Sequence, residues 1–162
     1  MDLLEALAAA PTRSYAGPGI NHEGEVFTGR LDVEWLVDMR AAMLHYTAVR
    51  VGGDPREPAL RREATLLARD PQCGLCLWPV MEELPFVLPH RQIDRTVEAD
   101  GSLVLVFSTG PREAVEAFRE EIVVALHPHG SLTYAHRWGM PGAGFGDRSS
   151  CRLAAIPTHT SD

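Results

Sequence analysis

At 162 residues the chain fits one domain, and with 45% hydrophobic and 23% charged residues it has an ordinary globular composition whose core needs no disulfide or metal. All 15 basic residues are arginine, which excludes a lysine Schiff base or lysine nucleophile. The net charge of −7, with arginines alternating among carboxylates, argues against a nucleic-acid partner. No run approaches the roughly 18 apolar residues of a membrane span. The first residues lack the basic leader of a signal peptide. Three cysteines are an odd count that suits a reducing compartment, so a cytoplasmic location is expected.

Residues 2–10 are helix formers, among them Leu3, Leu4, Ala6, Leu7 and Ala8, and Pro11 ends the run. Residues 11–24 hold Gly17-Pro18-Gly19 and read as an irregular connection. From Phe27 the period becomes two: Phe27, Gly29, Leu31, Val33 and Trp35 share one face, and Thr28, Arg30, Asp32 and Glu34 share the other. Strands are then expected over 39–50, 60–68, 74–84, 91–98, 102–108, 120–127, 132–138 and 151–156. Gly52-Gly53-Asp54-Pro55, residues 69–73, Asp100-Gly101 and the 128–131 stretch supply the turns. A helix from Pro111 through residue 126 competes with the strand at 120–127. The strand is favoured because Gly130 joins two segments of equal length with aligned apolar positions.

Eight or nine short strands in succession favour closure, because open edges invite aggregation. The expected fold is mainly β: an antiparallel up-and-down barrel over 20–157, with a helix and connection over 1–19 before it and a tail at 158–162. For the last hairpin, a left-handed Gly130 pairs Leu126 with Leu132, Val124 with Tyr134 and Ile122 with His136. Glu120, Ile122, Val124, Tyr134, His136 and Trp138 then face inward. Arg119, Glu121, Thr133 and Arg137 face water.

With its N-terminal helix, its first strand HEGEVFTGRLDV and its closing meander, the chain resembles the calycin-like barrels of the lipocalin and fatty-acid-binding type. Nitrobindin-like bacterial domains are the nearest in look. Gly24, Phe27 and Gly29 are similar to the Gly-aromatic-Gly opening of nitrobindin-like first strands, although the fuller Gly-Trp-x-Gly-x-Gly pattern is missing. The resemblance implies an apolar cavity for haem, fatty acids or other small molecules. Nitrobindin-like proteins carry a haem-ligating histidine just before the last strand. Here that stretch is Gly144-Phe145-Gly146-Asp147-Arg148, so haem is disfavoured and no other cofactor is expected.

Cys73-Gly74-Leu75-Cys76 follows a polar turn and opens a strand, and it lacks a second ligand pair. It reads as structural and not as a redox or zinc motif. His127 and His129 flank a turn while His136 lies mid-strand, so the three are not expected to converge on a metal. Ser149-Ser150-Cys151 has no nucleophile-elbow context.

The expected function is intracellular binding of a small apolar or amphipathic ligand by a monomer or homodimer. Trp35, Trp78, Tyr134 and Trp138 are the candidate wall, and His45, His90, Arg91 and His136 the candidate polar contacts. The alternative is a cofactor-independent isomerase, cyclase or hydrolase using His136 and Glu120 as an acid–base pair. A third possibility is a protein–protein interaction module.

Overall fold

A computed structural model describes residues 2–54 and 56–157. Pro55, from the expected turn, and the tail 158–162 with His159 lie outside the described residues. The described residues form one helix, α1 (Leu3–Ala9), and ten strands. These are β1 (Ser14–Asn21), β2 (Val26–Leu36), β3 (Ala41–Arg50), β4 (Arg61–Asp70), β5 (Gly74–Met81), β6 (His90–Val97), β7 (Leu103–Ser108), β8 (Arg119–Leu126), β9 (Leu132–Gly139) and β10 (Gly146–Ala155). Each pairs antiparallel with its neighbour, and β1 joins β10 to close the barrel. Closure removes both sheet edges and leaves an inner and an outer face that alternate along every strand.

Helix α1 begins with a capping box in which the Asp2 side chain accepts from the Glu5 amide and the Glu5 side chain accepts from the Asp2 amide. Leu3, Leu4 and Leu7 are buried in the core, so the helix plugs one end of the barrel. Above it lies an apolar layer that includes Leu31, Leu44, Leu67, Leu77, Leu105, Ile122 and Leu132, all fully buried. The other end, at the β1–β2, β3–β4, β5–β6, β7–β8 and β9–β10 connections, is open.

The β8–β9 hairpin has the expected register: Leu126 opposite Leu132, Val124 opposite Tyr134, Ile122 opposite His136. Gly130 is left-handed at φ 78. No helix forms across residues 111–126; 111–118 is a series of turns leading into β8. Asp100-Gly101 turns β6 into β7, with Gly101 at φ 85.

Two expectations are corrected. The first is the irregular connection over 11–24, which contains the tenth strand, β1. Its glycines made it look like a loop, yet they are what lets it pair here. A side chain on Gly19 would strike the Phe27 ring, and one on Gly17 would strike the Arg152 carbonyl of β10. The β1–β10 ladder breaks at Gly17 and Pro18, which accommodates a proline without an N–H. The Cys151 thiol donates to the carbonyls of both residues, at 3.3 and 3.4 Å. Gly17→Ala is therefore expected to destabilise the barrel by about 2 kcal/mol through overpacking at this seam. Urea denaturation measures it, and an unchanged midpoint would contradict the close approach.

The second correction concerns the outer face of β8. Arg119 and Glu121 were expected in water, yet each is only 2% exposed. The turns before β8 and the loop after β9 fold over them. The Arg119 guanidinium donates to the carbonyls of Ala117, Arg112, Met140 and Ala143. Glu121 accepts a two-pronged pair from Arg112 at 2.6 and 2.7 Å.

Candidate functional site

The inner face of β4 carries Arg61, Glu63, Thr65 and Leu67, while its outer face carries Ala64, Leu66 and Ala68. Polarity is thus reversed relative to an ordinary half-buried strand. The strand places a buried charged cluster beneath the open end of the barrel, together with Tyr46 on β3, His90 on β6, Glu120 on β8, and Tyr134 and His136 on β9.

The cluster has two carboxylates in unlike settings. Glu63 is saturated. Its Oε1 accepts from the Tyr134 hydroxyl and, at 2.6 Å, from Thr65 Oγ1. Its Oε2 faces His136 Nε2 at 2.9 Å and accepts from Arg61 Nε at 3.2 Å. Burial alone would raise its pKa. The charge and hydrogen bond of His136, together with Arg61 and Thr65, outweigh burial and hold it well below the ordinary carboxylate range. Glu63 is therefore a fixed anion, and His136 Nε2 is the donor to it. Burial and then the Glu63 charge push the Tyr134 hydroxyl well above its ordinary value, so it remains a donor.

Glu120 is sparsely held. Its Oε2 lies 3.0 Å from His90 Nε2. Its Oε1 is buried without a hydrogen-bond partner, and Arg61 Nη2 stands 3.6 Å away. The Nδ1 of His90 lies 3.0 Å from the Leu88 carbonyl. A carbonyl only accepts, so Nδ1 carries a hydrogen. Nε2 facing a carboxylate then requires a further proton, on His90 or on Glu120. Glu120 thus meets one histidine and keeps a bare oxygen, whereas both oxygens of Glu63 are occupied.

Above the cluster, at the open end, is a cavity of about 240 Å³. Phe27, Tyr46, Ala48, Leu60 and Trp138 supply its apolar lining, and Arg61, Arg148, His22, Glu83 and Ser149 its polar lining. Two guanidiniums converge on Trp138: the Cζ of Arg61 lies 5.3 Å and that of Arg148 5.7 Å from its ring centroid. Arg148 Nε also donates to the Trp138 carbonyl at 3.3 Å.

Of the residues singled out in the sequence, His90, Glu120, Tyr134 and His136 meet in the cluster, and Trp138 lines the cavity above it. The expected direct pairing of Glu120 with His136 is corrected, because Glu120 pairs with His90 and His136 with Glu63. Trp35 faces inward but lies near the closed end, four residues down β2 from Leu31. His45, Trp78 and Arg91 are corrected to the outer face. Each sits between or beside inward residues, respectively Leu44 and Tyr46, Leu77 and Pro79, and His90, so alternation turns it outward. His45 instead meets Glu34 at 2.9 Å.

Sequence reasoning missed Arg61, Glu63, Thr65 and Arg148. The signal available for the first three was their spacing of two, which assigns them to one face. The apolar residues between them pointed to the wrong face as the interior. Cys73 lies in the β4–β5 turn and Cys76 in β5, as expected; both are free thiols. Among the described residues no group of three or more His, Cys, Asp or Glu side chains is placed to hold a metal. No helix among them is long and apolar enough to cross a membrane.

The molecule is thus a closed, ten-stranded antiparallel β-barrel with a charged interior under one open end. No protein-family model matches the chain, and no curated protein matches it. Among solved structures it is similar to the crystal structure of Rv2717c from M. tuberculosis, with a TM-score of 0.70 over 97% of this chain and 99% of that one. Identity is 13%, so the likeness speaks for the fold alone.

Proposed function

We propose that the barrel binds a small amphipathic molecule at its open end. The observation that carries this reading is the cavity of about 240 Å³, lined by aromatic side chains and by two arginines that lie over Trp138. Ligand sites combine an apolar lining with a few placed polar groups in this way. The volume lies below the roughly 300–1,000 Å³ of drug-sized sites, which favours a single-ring molecule. Two-dimensional NMR titration with benzyl alcohol tests the reading. Shifts should concentrate at Phe27, Tyr46, Trp138 and Ser149, and Trp138→Ala should weaken binding about tenfold, as loss of an aromatic anchor does. No shift at these residues, or shifts only at the α1 end, would count against it.

Haem, which the calycin-like resemblance implies, lacks the histidine that the resemblance would place at residues 144–148. Arg148, near the start of β10, stands in the cavity wall instead. Hemin titration is expected to give no sharp Soret band at equimolar ratio. A sharp band that disappears in His22→Ala would reverse this conclusion, since His22 is the histidine lining the cavity.

A second reading is favoured by the contrast between the two carboxylates. One is saturated by four donors and the other meets a single histidine and keeps a bare oxygen, a contrast of settings seen in acid–base catalysis. In that reading Glu120 and His90, and not Glu120 and His136, move the proton, and the barrel is a cofactor-independent enzyme.

A further inference from the structure

We propose that the open-end cavity is a site for a small planar monocarboxylate, with its carboxylate on the Arg148 guanidinium and its ring against Trp138. This rests on the reading of that cavity as a ligand site and adds the ligand's chemical class.

Arg61 faces Glu63 at 3.2 Å and Glu120 at 3.6 Å, and Glu83 also acts on its charge. Arg61 is thus engaged by the carboxylates of the cluster below the cavity. Arg148 differs. Its interactions among the described residues are the Nε hydrogen bond to the Trp138 carbonyl and the contact over the Trp138 ring. No carboxylate pairs with it among those residues, although Asp147 precedes it in sequence. Asp147 turns to the outer face and pairs with Arg137 at 3.0 Å. The Nη groups of Arg148 are thus left beside a half-buried aromatic ring, on the wall of a concave site.

A guanidinium held by its Nε keeps its planar fork oriented, and a carboxylate matches that fork with two parallel hydrogen bonds. The remaining walls, Phe27, Tyr46 and Trp138, are flat aromatic surfaces that suit a ring. A long fatty acid has no room below, because the layer under the charged cluster is filled by fully buried leucines. A cationic ligand would have to rely on Glu83, which shares the cavity wall with Arg61 and Arg148.

The test compares benzoate, benzyl alcohol and benzylamine by NMR titration of the full chain at low ionic strength. Benzoate should bind about tenfold tighter than benzyl alcohol, the scale of one charge-assisted contact at a partly exposed site. Arg148→Gln should remove that advantage, lowering the affinity for benzoate several-fold more than that for benzyl alcohol, whose own change reports the lost contact of the guanidinium with Trp138. Arg148→Lys, which keeps the charge without the fork, should fall between them. Equal affinity for benzoate and benzyl alcohol in the natural chain would overturn the proposal and leave the ligand site standing. So would tighter binding of benzylamine, or an equal loss for both neutral and anionic ligands in Arg148→Gln. If none of the three ligands shifts the resonances of Phe27, Tyr46 or Trp138, the ligand site itself fails.

Discussion

Glu63→Gln is expected to destabilise the folded chain by about 3–5 kcal/mol near neutral pH, the cost of removing one partner from a buried ion pair. Four donors converge on this carboxylate: Tyr134, Thr65, His136 and Arg61. An amide keeps the shape but presents one acceptor oxygen and two hydrogens, so two former donors meet a donor. The larger loss is Coulombic. Arg61, 6% exposed, would keep only Glu120 at 3.6 Å as a buried counter-charge. A domain is stable by only about 5–15 kcal/mol, so the shift takes a large fraction of the total. The urea midpoint reads it. If Glu63→Gln is too unstable to study, the double variant Arg61→Met with Glu63→Gln should recover part of the loss, because it removes the stranded cation along with its partner. A midpoint within error of the natural protein would mean that the cluster is hydrated and contributes little.

The same residue sets a pH dependence whose sign follows from its lowered pKa. The folded state holds Glu63 ionised below its ordinary value of 4.5. Its contribution is fully present above that value and declines as pH falls from there toward the folded pKa. The stability gap between the natural chain and Glu63→Gln should therefore hold near neutral pH and narrow from about pH 5 to about pH 3, since the variant has no proton to take up at this position. A gap that stays constant into acid would show that Glu63 is not held as an anion.

Much of the barrel was legible because its outward residues are ordinary. In β2 the alternation of Phe27, Leu31 and Val33 with Thr28, Arg30 and Asp32 gives the face directly. In the β8–β9 hairpin, Gly130 and the apolar positions determine the register pair by pair. The inward placement of Glu120 and His136 could be read from that register despite their polarity. Their partners could not, because His90 and Glu63 arrive from strands 30 and 73 residues away. Strand β1 was hidden because two of its inward positions after Tyr15 are glycines, whose role is to make room for the Phe27 ring and for β10. β4 was legible as a strand but its inward face was not: its charged residues face in, and local polarity assigns such residues to water. Both exceptions, and the arginine on Trp138, lie at or near the open end. A strand interior that carries charge there departs from the local pattern where a site would require it.

Arg119→Met is expected to cost about 3 kcal/mol, because it removes a buried charged donor from several carbonyls while roughly keeping volume. Those carbonyls belong to two different segments. Arg112 and Ala117 lie before β8, and Met140 and Ala143 lie after β9. Gly139 leaves the space that the guanidinium fills, since a side chain there would collide with it. The guanidinium therefore ties the β7–β8 and β9–β10 connections to each other and to the barrel wall. One backbone bond, from the Gly142 amide to the Val115 carbonyl at 2.8 Å, reports on that tie. Its hydrogen exchange should accelerate in Arg119→Met by more than the global loss of stability explains, because local opening is released first. Arg112→Met provides the contrast. It breaks an ion pair whose arginine is 52% exposed and whose buried carboxylate, Glu121, keeps Arg137 at 3.7 Å, so its cost should be smaller than that of Arg119→Met. Protection at Gly142 should survive it. The tie also bears on the site: Trp138 immediately precedes Gly139, so loosening this connection should weaken benzyl alcohol binding even though Arg119 does not line the cavity. Unchanged protection at Gly142 in Arg119→Met, with a stability loss no larger than that of Arg112→Met, would show that the two connections hold their places without the arginine.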